Sequence, residues 1–109
     1  MKKAYRVRKN EEFSSIIAEK HAVASDRFVI YFSDRKEGHA RVGISVSKKL
    51  GDAVERNRIK RQVREMARSL IDFEECPKDL IIIVRKGYLE HDFHENKNDL
   101  EMKIKKAII

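Results

Sequence analysis

Residues 41–61 read RVGISVSKKLGDAVERNRIKR, and this stretch decides how the chain is organised. Residues 39–47 alternate apolar with polar or small side chains, which is the period of a β-strand. The predicted strand has an apolar face and a small polar face: Val42, Ile44 and Val46 point one way, and Arg41, Gly43, Ser45 and Ser47 point the other. Gly51 ends the strand. Asp52, followed three residues later by Glu55, forms a capping box that predicts the start of a helix.

The helix that begins at Asp52 has two distinct faces. At 100° per residue, five apolar side chains fall on one stripe that is about 100° wide, the width of a core-facing surface. They are Ile59, Val63, Met66, Ala67 and Leu70. A neighbouring flank carries Asn57, Lys60, Arg61, Arg64 and Arg68. A charged flank is usually a solvated face, but such a face mixes signs, and past the cap only Glu65 opposes these cations.

Positive charge is concentrated in this part of the chain. Residues 41–68 include nine basic and three acidic side chains, a net charge of +6 out of +7 for the whole chain. Such a density repels itself unless an anion binds it, and nucleic acid is the polyanion that fits. The start of the helix adds unpaired backbone N–H groups and arginine forks that suit phosphate. The residues predicted to contact nucleic acid are Lys48, Lys49, Arg56, Asn57, Arg58, Lys60, Arg61, Arg64 and Arg68.

The remaining elements predict an α+β fold in the order α-β-β-α-β-α. Asn10–Ala18 has the apolar spacing of a short helix, and residues 27–33 are aromatic and β-branched, as in a strand. A polar turn at 34–38 predicts that this strand and the next form an antiparallel hairpin. The apolar run 79–85 predicts a central strand covered on both faces, and a third helix is expected from about residue 90. Helices packed on a small mixed sheet follow from this order.

Length and composition limit the number of domains, the kind of partner and the compartment that are compatible with this chain. A chain of 109 residues with 41% hydrophobic residues is one domain, residues 1–109, and can bury a core without disulfides. Its pI near 9.6 favours acidic partners, either nucleic acid or an anionic membrane surface. No apolar run is long enough to span a bilayer or to act as a secretory signal. The single cysteine, Cys76, fits a reducing cytoplasm and is interpreted as structural.

The small polar strand face and two aromatic residues form a second candidate surface. Ser45 and Ser47 hydroxyls can donate to phosphate or sugar oxygens, although the same face also fits the solvated side of an edge strand. Phe13 and Tyr31 can stack on the bases of a single strand. Core packing is the alternative for both rings, and the Tyr31 hydroxyl favours an exposed or half-exposed position.

Candidate catalytic and metal sites are weak. His91 and His94 have helical spacing and acidic neighbours, which allows a metal site, but a polar surface helix explains the same residues. No carboxylate cluster, Ser-His-Asp set or Cys-His set is indicated. The residues therefore predict a protein that binds nucleic acid without side chains that cut it.

The segment Ala40–Arg61 closely resembles the signature of the protein subunit of bacterial ribonuclease P. The run Arg-Asn-Arg-Ile-Lys-Arg at 56–61, after Ser-Lys-Lys at 47–49, is the most specific part. The similarity extends over nearly the whole chain, through Lys9–Phe13, Phe28–Tyr31 and residues 79–85.

This resemblance implies a fold and a set of partners. The fold is a small mixed sheet with a left-handed βαβ crossover, an arrangement also found in a domain of a small-subunit ribosomal protein. The partners are the catalytic RNA, which uses Mg²⁺, and precursor tRNA, whose 5′ leader is removed; the protein itself holds no cofactor. No membrane or small-molecule partner is expected, and the expected location is the cytoplasm.

The resemblance also assigns residues to two RNA contacts. The basic helix with its preceding lysines would contact the catalytic RNA. A cleft between the first helix and the sheet would hold the single-stranded leader, lined by Phe13, Ile17, Tyr31, Ser45 and Ser47. Many members of the family carry a second aromatic residue at the position of Ile17. Two other classes remain as alternatives: a ribosomal protein or RNA chaperone, and a nuclease that uses His91 and His94.

Overall fold

The computed structural model describes residues 1–109 and contains three α-helices and four β-strands. In chain order these are α1 (Asn10–Ala18), β1 (Ala22–Ala24), β2 (Phe28–Asp34), β3 (Val42–Val46), α2 (Ala53–Leu70), β4 (Lys78–Val84) and α3 (Phe93–Ile108). Three short 3-10 helices cover Lys3–Tyr5, Lys48–Leu50 and Lys86–Glu90. The α+β class and all six predicted elements are confirmed. The short strand β1 was not predicted, because three residues are too few to show a period.

The strand order is β1-β2-β4-β3, so β4 separates the two strands that were predicted to form a hairpin. That prediction is wrong: β4 pairs antiparallel with β2 and parallel with β3. The physical reason is the apolar run of β4. Leu80, Ile81 and Ile82 are all fully buried, and only an interior strand with helices on both faces can bury them together. The parallel pair β3 and β4, joined through α2, forms the expected βαβ unit.

The sheet separates a large core from a small one. On one face, α2 packs on β3, and α3 packs on β1, β2 and α2 around twenty buried residues that include Phe28, Ile59 and Leu100. On the other face, α1 packs on β2 and β4 over Val7 and Ile81. The helix α1 therefore stands alone on its face, and the sheet surface beside it stays open.

Local signals explain where α2 begins. Gly51 has a φ of 141°, a conformation that glycine adopts without a Cβ penalty. The Asp52 carboxylate accepts the Glu55 backbone N–H at 2.9 Å, as the capping box predicts. The reciprocal half is absent, because the Glu55 carboxylate instead pairs with Arg58 at 3.0 Å. The complete reciprocal box lies at the start of α3, between Asp92 and Glu95.

A buried ion network joins α1 to the sheet. Asp79 on β4 is fully buried, and its carboxylate accepts the Arg41 backbone N–H at 2.9 Å and lies 3.4 Å from the Arg41 guanidinium. The same guanidinium donates to the carboxylate of Glu12 on α1. This hydrogen bond is the main cause that lowers the pKa of Glu12, so the pair is fully ionised at neutral pH. Arg41 therefore neutralises the buried Asp79 and the half-buried Glu12 and does not add to the exposed cationic surface.

None of the helices combines the length and apolar composition needed to cross a bilayer.

Replacing the buried acid tests the network. Asp79→Asn should lower the free energy of unfolding by about 3 kcal/mol, because it leaves the Arg41 charge buried with one partner fewer. Urea denaturation monitored by circular dichroism measures this loss. Asp34→Asn is the matched control, since Asp34 is exposed and forms only a surface pair with Lys78. Equal effects of the two substitutions would show that the network contributes no more than a surface ion pair.

Candidate nucleic-acid interface

An apolar cleft lies where α1 meets the open face of the sheet. Phe13 and Ile17 from α1 and Tyr31 from β2 are all half-buried and pack against Val7 and Ile81. The register places Tyr31 opposite Ile81, and Ile81 opposite Gly43, so the sheet forms the floor of this cleft. The structure thus brings together the three apolar residues predicted to line a leader cleft. Each keeps part of its surface open to a ligand.

Gly43 has no side chain, and this allows Phe13 and Ile81 to pack against its backbone. A Cβ built on Gly43 would lie 2.6 Å from Cζ of Phe13 and 2.8 Å from Cδ1 of Ile81, which is closer than side chains allow. The Phe13 ring therefore rests directly on the backbone of β3. Gly43 is therefore buried beneath the ring, so at this position the strand face is neither solvated nor open to a ligand.

The two serines occupy different surroundings. Ser45 is half-exposed on β3, paired in register with Ile83 next to the Phe13 cleft. Ser47 is exposed beyond the end of the strand, and its hydroxyl accepts the Lys49 backbone N–H at 3.2 Å. Ser45 thus extends the cleft, whereas Ser47 caps the 3-10 helix that leads to α2. The Ser47 hydroxyl hydrogen remains available to an acceptor outside the chain.

The cations at the entrance to α2 are held on a fixed turn. Lys48 and Lys49 are exposed on the 3-10 helix, which is anchored by buried Leu50 and by the Ser47 cap. Neither lysine is paired with a carboxylate, and four of the basic residues predicted on α2 are also unpaired. These are Arg56, Lys60, Arg61 and Arg64. Uncompensated charge on a rigid turn and helix is suited to a phosphate backbone.

Arg58 and Arg68 differ from the other cations of α2. Arg68 pairs with Glu65 at 2.6 Å, and Arg58 pairs with Glu55. At 100° per residue, Arg58 also lies on the opposite side of the apolar stripe from Lys60, toward Tyr88. Arg58 thus lies on a partly neutralised flank, whereas Lys60, Arg61 and Arg64 form an unpaired flank that also carries the paired Arg68. The count of charges did not show this division.

The unpaired flank of α2 meets the apolar cleft at its edge. Arg64 and Phe13 line one groove of about 280 Å³, together with Ile44 and the N-terminal residues Arg6 and Arg8. Sequence reasoning did not assign Arg6 or Arg8 to a site. The signal was the alternation of Arg6 and Arg8 around Val7, which is the period of an extended segment with one buried residue.

The residues considered for other chemistry have structural explanations. The His91 ring lies 3.7 Å from Glu95, whose carboxylate belongs to the helix cap, and His94 packs edge-on against Phe93. No group of three or more His, Cys, Asp or Glu side chains is arranged to hold a metal ion. Burial raises the pKa of the Cys76 thiol, which keeps it protonated and unreactive.

Tyr88 also fulfils a structural role next to the partly neutralised flank. Burial raises the pKa of Tyr88 to about 12, and its hydroxyl donates to the Gln62 side chain at 2.7 Å. This bond ties the segment after β4 to the middle of α2. It therefore helps to hold α2 in a fixed position relative to the sheet.

Comparison with known proteins identifies the family that shares this architecture. The model of the family described as Ribonuclease P matches residues 1–108, nearly the entire chain. The chain belongs to the ribonuclease P protein family. Among curated relatives, the ribonuclease P protein component of Streptococcus gordonii is 46% identical over 100% of this chain and 91% of the relative. That of an Exiguobacterium species is 52% identical over 79% of this chain and 75% of the relative.

Solved structures of ribonuclease P proteins share the fold. The Staphylococcus aureus protein superposes with a TM-score of 0.84 at 40% identity, covering 98% of this chain and 100% of that one. The Thermotoga maritima protein gives a TM-score of 0.79 at 30% identity, covering 93% and 96%. The sequence resemblance is thereby confirmed: this is a bacterial ribonuclease P protein subunit, a component of a tRNA-processing ribonucleoprotein.

The contact between Gly43 and Phe13 predicts a specific effect of a single methyl group. Gly43→Ala should displace the Phe13 ring and lower the free energy of unfolding by about 1–3 kcal/mol, as overpacking in a tight site does. Chemical denaturation measures the stability, and the NMR shifts of the Phe13 ring report its displacement. Gly38→Ala is the control, because nothing lies within 4 Å of the added methyl group. An unshifted Phe13 ring in Gly43→Ala would contradict this packing.

Proposed function

We propose that this subunit binds the catalytic RNA of ribonuclease P through α2 and the 5′ leader of precursor tRNA through the cleft beside α1. The observation that carries the proposal is the shared groove in which Arg64 of α2 faces Phe13 of α1. A cationic helix flank and a half-buried aromatic ring at one opening suit a single strand that leaves an RNA surface. Family membership supplies the reaction in which such a strand occurs.

The unpaired flank of α2 would act through phosphate charge. Folded RNA and precursor tRNA repel each other when they approach, and Mg²⁺ offsets part of that repulsion. Lys60, Arg61 and Arg64 are held on a helix that is anchored by the buried side chains Ile59, Val63, Met66 and Ala67. Little backbone freedom is therefore lost on binding. Each cation that neutralises a phosphate releases a condensed counterion, which favours assembly most strongly at low salt. The protein would therefore lower the Mg²⁺ concentration that the complex needs.

The cleft would act by distinguishing precursor from product. Stacking of a base on an aromatic side chain contributes about 1–3 kcal/mol, and it needs no particular base. Phe13 and Tyr31 offer two half-exposed rings, while Ile17 supplies an aliphatic surface next to them. Only the precursor carries a leader. Contacts in the cleft would thus strengthen precursor binding and leave mature tRNA free to dissociate.

Catalysis is assigned to the RNA, with the protein as its binding partner. In this proposal Mg²⁺ belongs to the RNA, and the protein positions phosphates and the leader without transferring a proton. The proposed place of action is the cytoplasm, where precursor tRNA is made.

Reconstitution tests the function directly. The protein should stimulate cleavage of precursor tRNA by the catalytic RNA at a Mg²⁺ concentration at which the RNA alone is nearly inactive. The measurement is the single-turnover rate of leader release. A ribosomal protein or RNA chaperone would not produce this stimulation, and its absence would overturn the proposal. Cleavage by the purified protein alone, abolished by His91→Ala with His94→Ala, would support the nuclease alternative.

Removing the Phe13 ring should affect one substrate only. Phe13→Ala is expected to weaken precursor binding by the holoenzyme by about 5- to 150-fold, the equivalent of one lost stacking contact. Mature tRNA should bind as before. Phe93→Ala is the control, since Phe93 is half-buried against the large core at the start of α3. Equal losses for precursor and mature tRNA would reassign Phe13 to a purely structural role.

The two flanks of α2 predict different salt responses. Arg61→Ala should reduce the slope of log affinity against log salt for the catalytic RNA by about 0.7–0.9, the value of one phosphate contact. Arg58→Ala should change the slope less, because Arg58 is already paired with Glu55. Filter binding over a range of monovalent salt measures both. A larger change for Arg58→Ala would place the RNA on the opposite flank.

A further inference from the structure

The N-terminal segment is held on the exposed edge of the sheet. The backbone N–H of Val7 donates to the carbonyl oxygen of Val42 at 3.0 Å, and Arg6 forms a parallel bridge with the same residue. The Val7 side chain is 4% exposed and packs with Ile16 and Ile81 under α1. Residues 6–8 are therefore a fixed part of the domain. Because Val7 points inward, the extended backbone directs Arg6 and Arg8 away from the small core.

Arg6, Arg8 and Arg64 surround one groove, which we call the arginine groove. Its remaining lining is apolar and includes Phe13, Val42 and Ile44, with no acidic residue. Neither Arg8 nor Arg64 is paired with a carboxylate. Three arginine side chains from two separate elements thus converge on a space of about 280 Å³ without a counter-charge. Such convergence is electrostatically unfavourable in the absence of an anion.

The hydrogen bonds of Arg6 also leave donor capacity for an anion. One terminal nitrogen of Arg6 donates to the Met1 carbonyl at 3.1 Å, while its Nε is buried without an acceptor. A wider concavity on the other side of residues 6–8 also includes Arg6 and Arg8, but Glu12 and Glu37 line it as well. That concavity also contains Lys9 and Arg41, and its Glu12 already pairs with Arg41, so its cations outnumber its acids as well. The arginine groove differs in that no acidic residue lines it.

The chemistry of the lining identifies the ligand class. Arginine forks bind phosphate oxygens in a bidentate manner, and an apolar floor with an aromatic ring accepts a base or ribose. A nucleotide within a single strand carries both groups at adjacent positions. The groove also opens onto Phe13, which the proposed function places in the leader cleft. The arginine side chains therefore match the phosphate, and the apolar floor matches the base or ribose, of one nucleotide in a strand that continues into the cleft.

We infer that the arginine groove binds a phosphate of the 5′ leader, adjacent to the nucleotide that contacts Phe13. This inference rests on the proposed function and extends it to the N-terminal segment. Residues 6–8 form the outer wall of the leader path, and Arg64 forms the inner wall. The segment would thus link the helix that faces the catalytic RNA with the cleft that holds the substrate.

The experiment uses the holoenzyme assembled from the full chain and the catalytic RNA. Arg8→Ala should weaken binding of precursor tRNA about three- to tenfold, consistent with one charge-assisted phosphate contact. Mature tRNA should bind with unchanged affinity, and the salt slope for the precursor should fall by about 0.7, as for a single strand. Arg8 is exposed, so the variant should fold normally, which circular dichroism verifies. Arg8→Lys should retain part of the affinity, because it keeps the charge and loses the fork.

Lys106→Ala is the matched control for the loss of one positive charge. Lys106 is exposed near the end of α3, which packs on β1 and β2, whereas the arginine groove lies at the β3 edge on the other side of the sheet order. It should leave precursor affinity unchanged. Equal weakening of precursor and mature tRNA by Arg8→Ala would instead assign Arg8 to the catalytic RNA, and no weakening would remove it from any phosphate contact. Either result overturns the inference while wild-type stimulation of cleavage still supports the proposed function.

Discussion

The buried carboxylate of Asp79 is the constraint on which the functional surface depends. It fixes Arg41 through both the backbone and the guanidinium group, and Arg41 in turn holds Glu12 on α1. Phe13 follows Glu12 on α1 and is thereby placed against Gly43, which has no side chain to displace the ring. Removing one partner would leave an uncompensated charge in the interior, which is more costly than the loss of a surface pair. The position of the aromatic cleft is thus set by electrostatics inside the domain.

The fold divides the positive charge by environment. Arg41 is neutralised in the interior, Arg58 and Arg68 pair with acids one turn away, and Arg61 and Arg64 remain free. The net charge of +7 therefore accounts for a general attraction to RNA. The unpaired basic residues determine where on the surface the RNA is expected to lie. The unpaired subset is continuous with the cleft because residues 6–8 cover the edge of β3 between them. One surface can thereby serve two RNA partners.

Much of this architecture could be predicted from local patterns. The period of β3, the Asp52 cap and the apolar stripe of α2 each appear in the structure at the expected residues. The predicted hairpin of β2 and β3 is wrong because the prediction relied on the usual pairing of sequential strands. In the structure the apolar run of β4 takes the interior position between them. Phe13, Ile17 and Tyr31 were assigned to one cleft through family resemblance, since their own spacing also fits a core. Arg6 and Arg8 were missed because their alternation around Val7 covers only three residues and does not stand out in a basic N-terminal segment.

The sequence by itself determined the elements, the family and the excess of positive charge, because these depend on short-range periodicity and on a contiguous motif. Only the tertiary structure decided which charges remain free and which residues share a groove. Ion pairing and packing depend on distances between residues far apart in the chain, as between Arg41 and Asp79 or between Phe13 and Gly43. Those distances follow from the order of strands in the sheet, which local patterns do not specify.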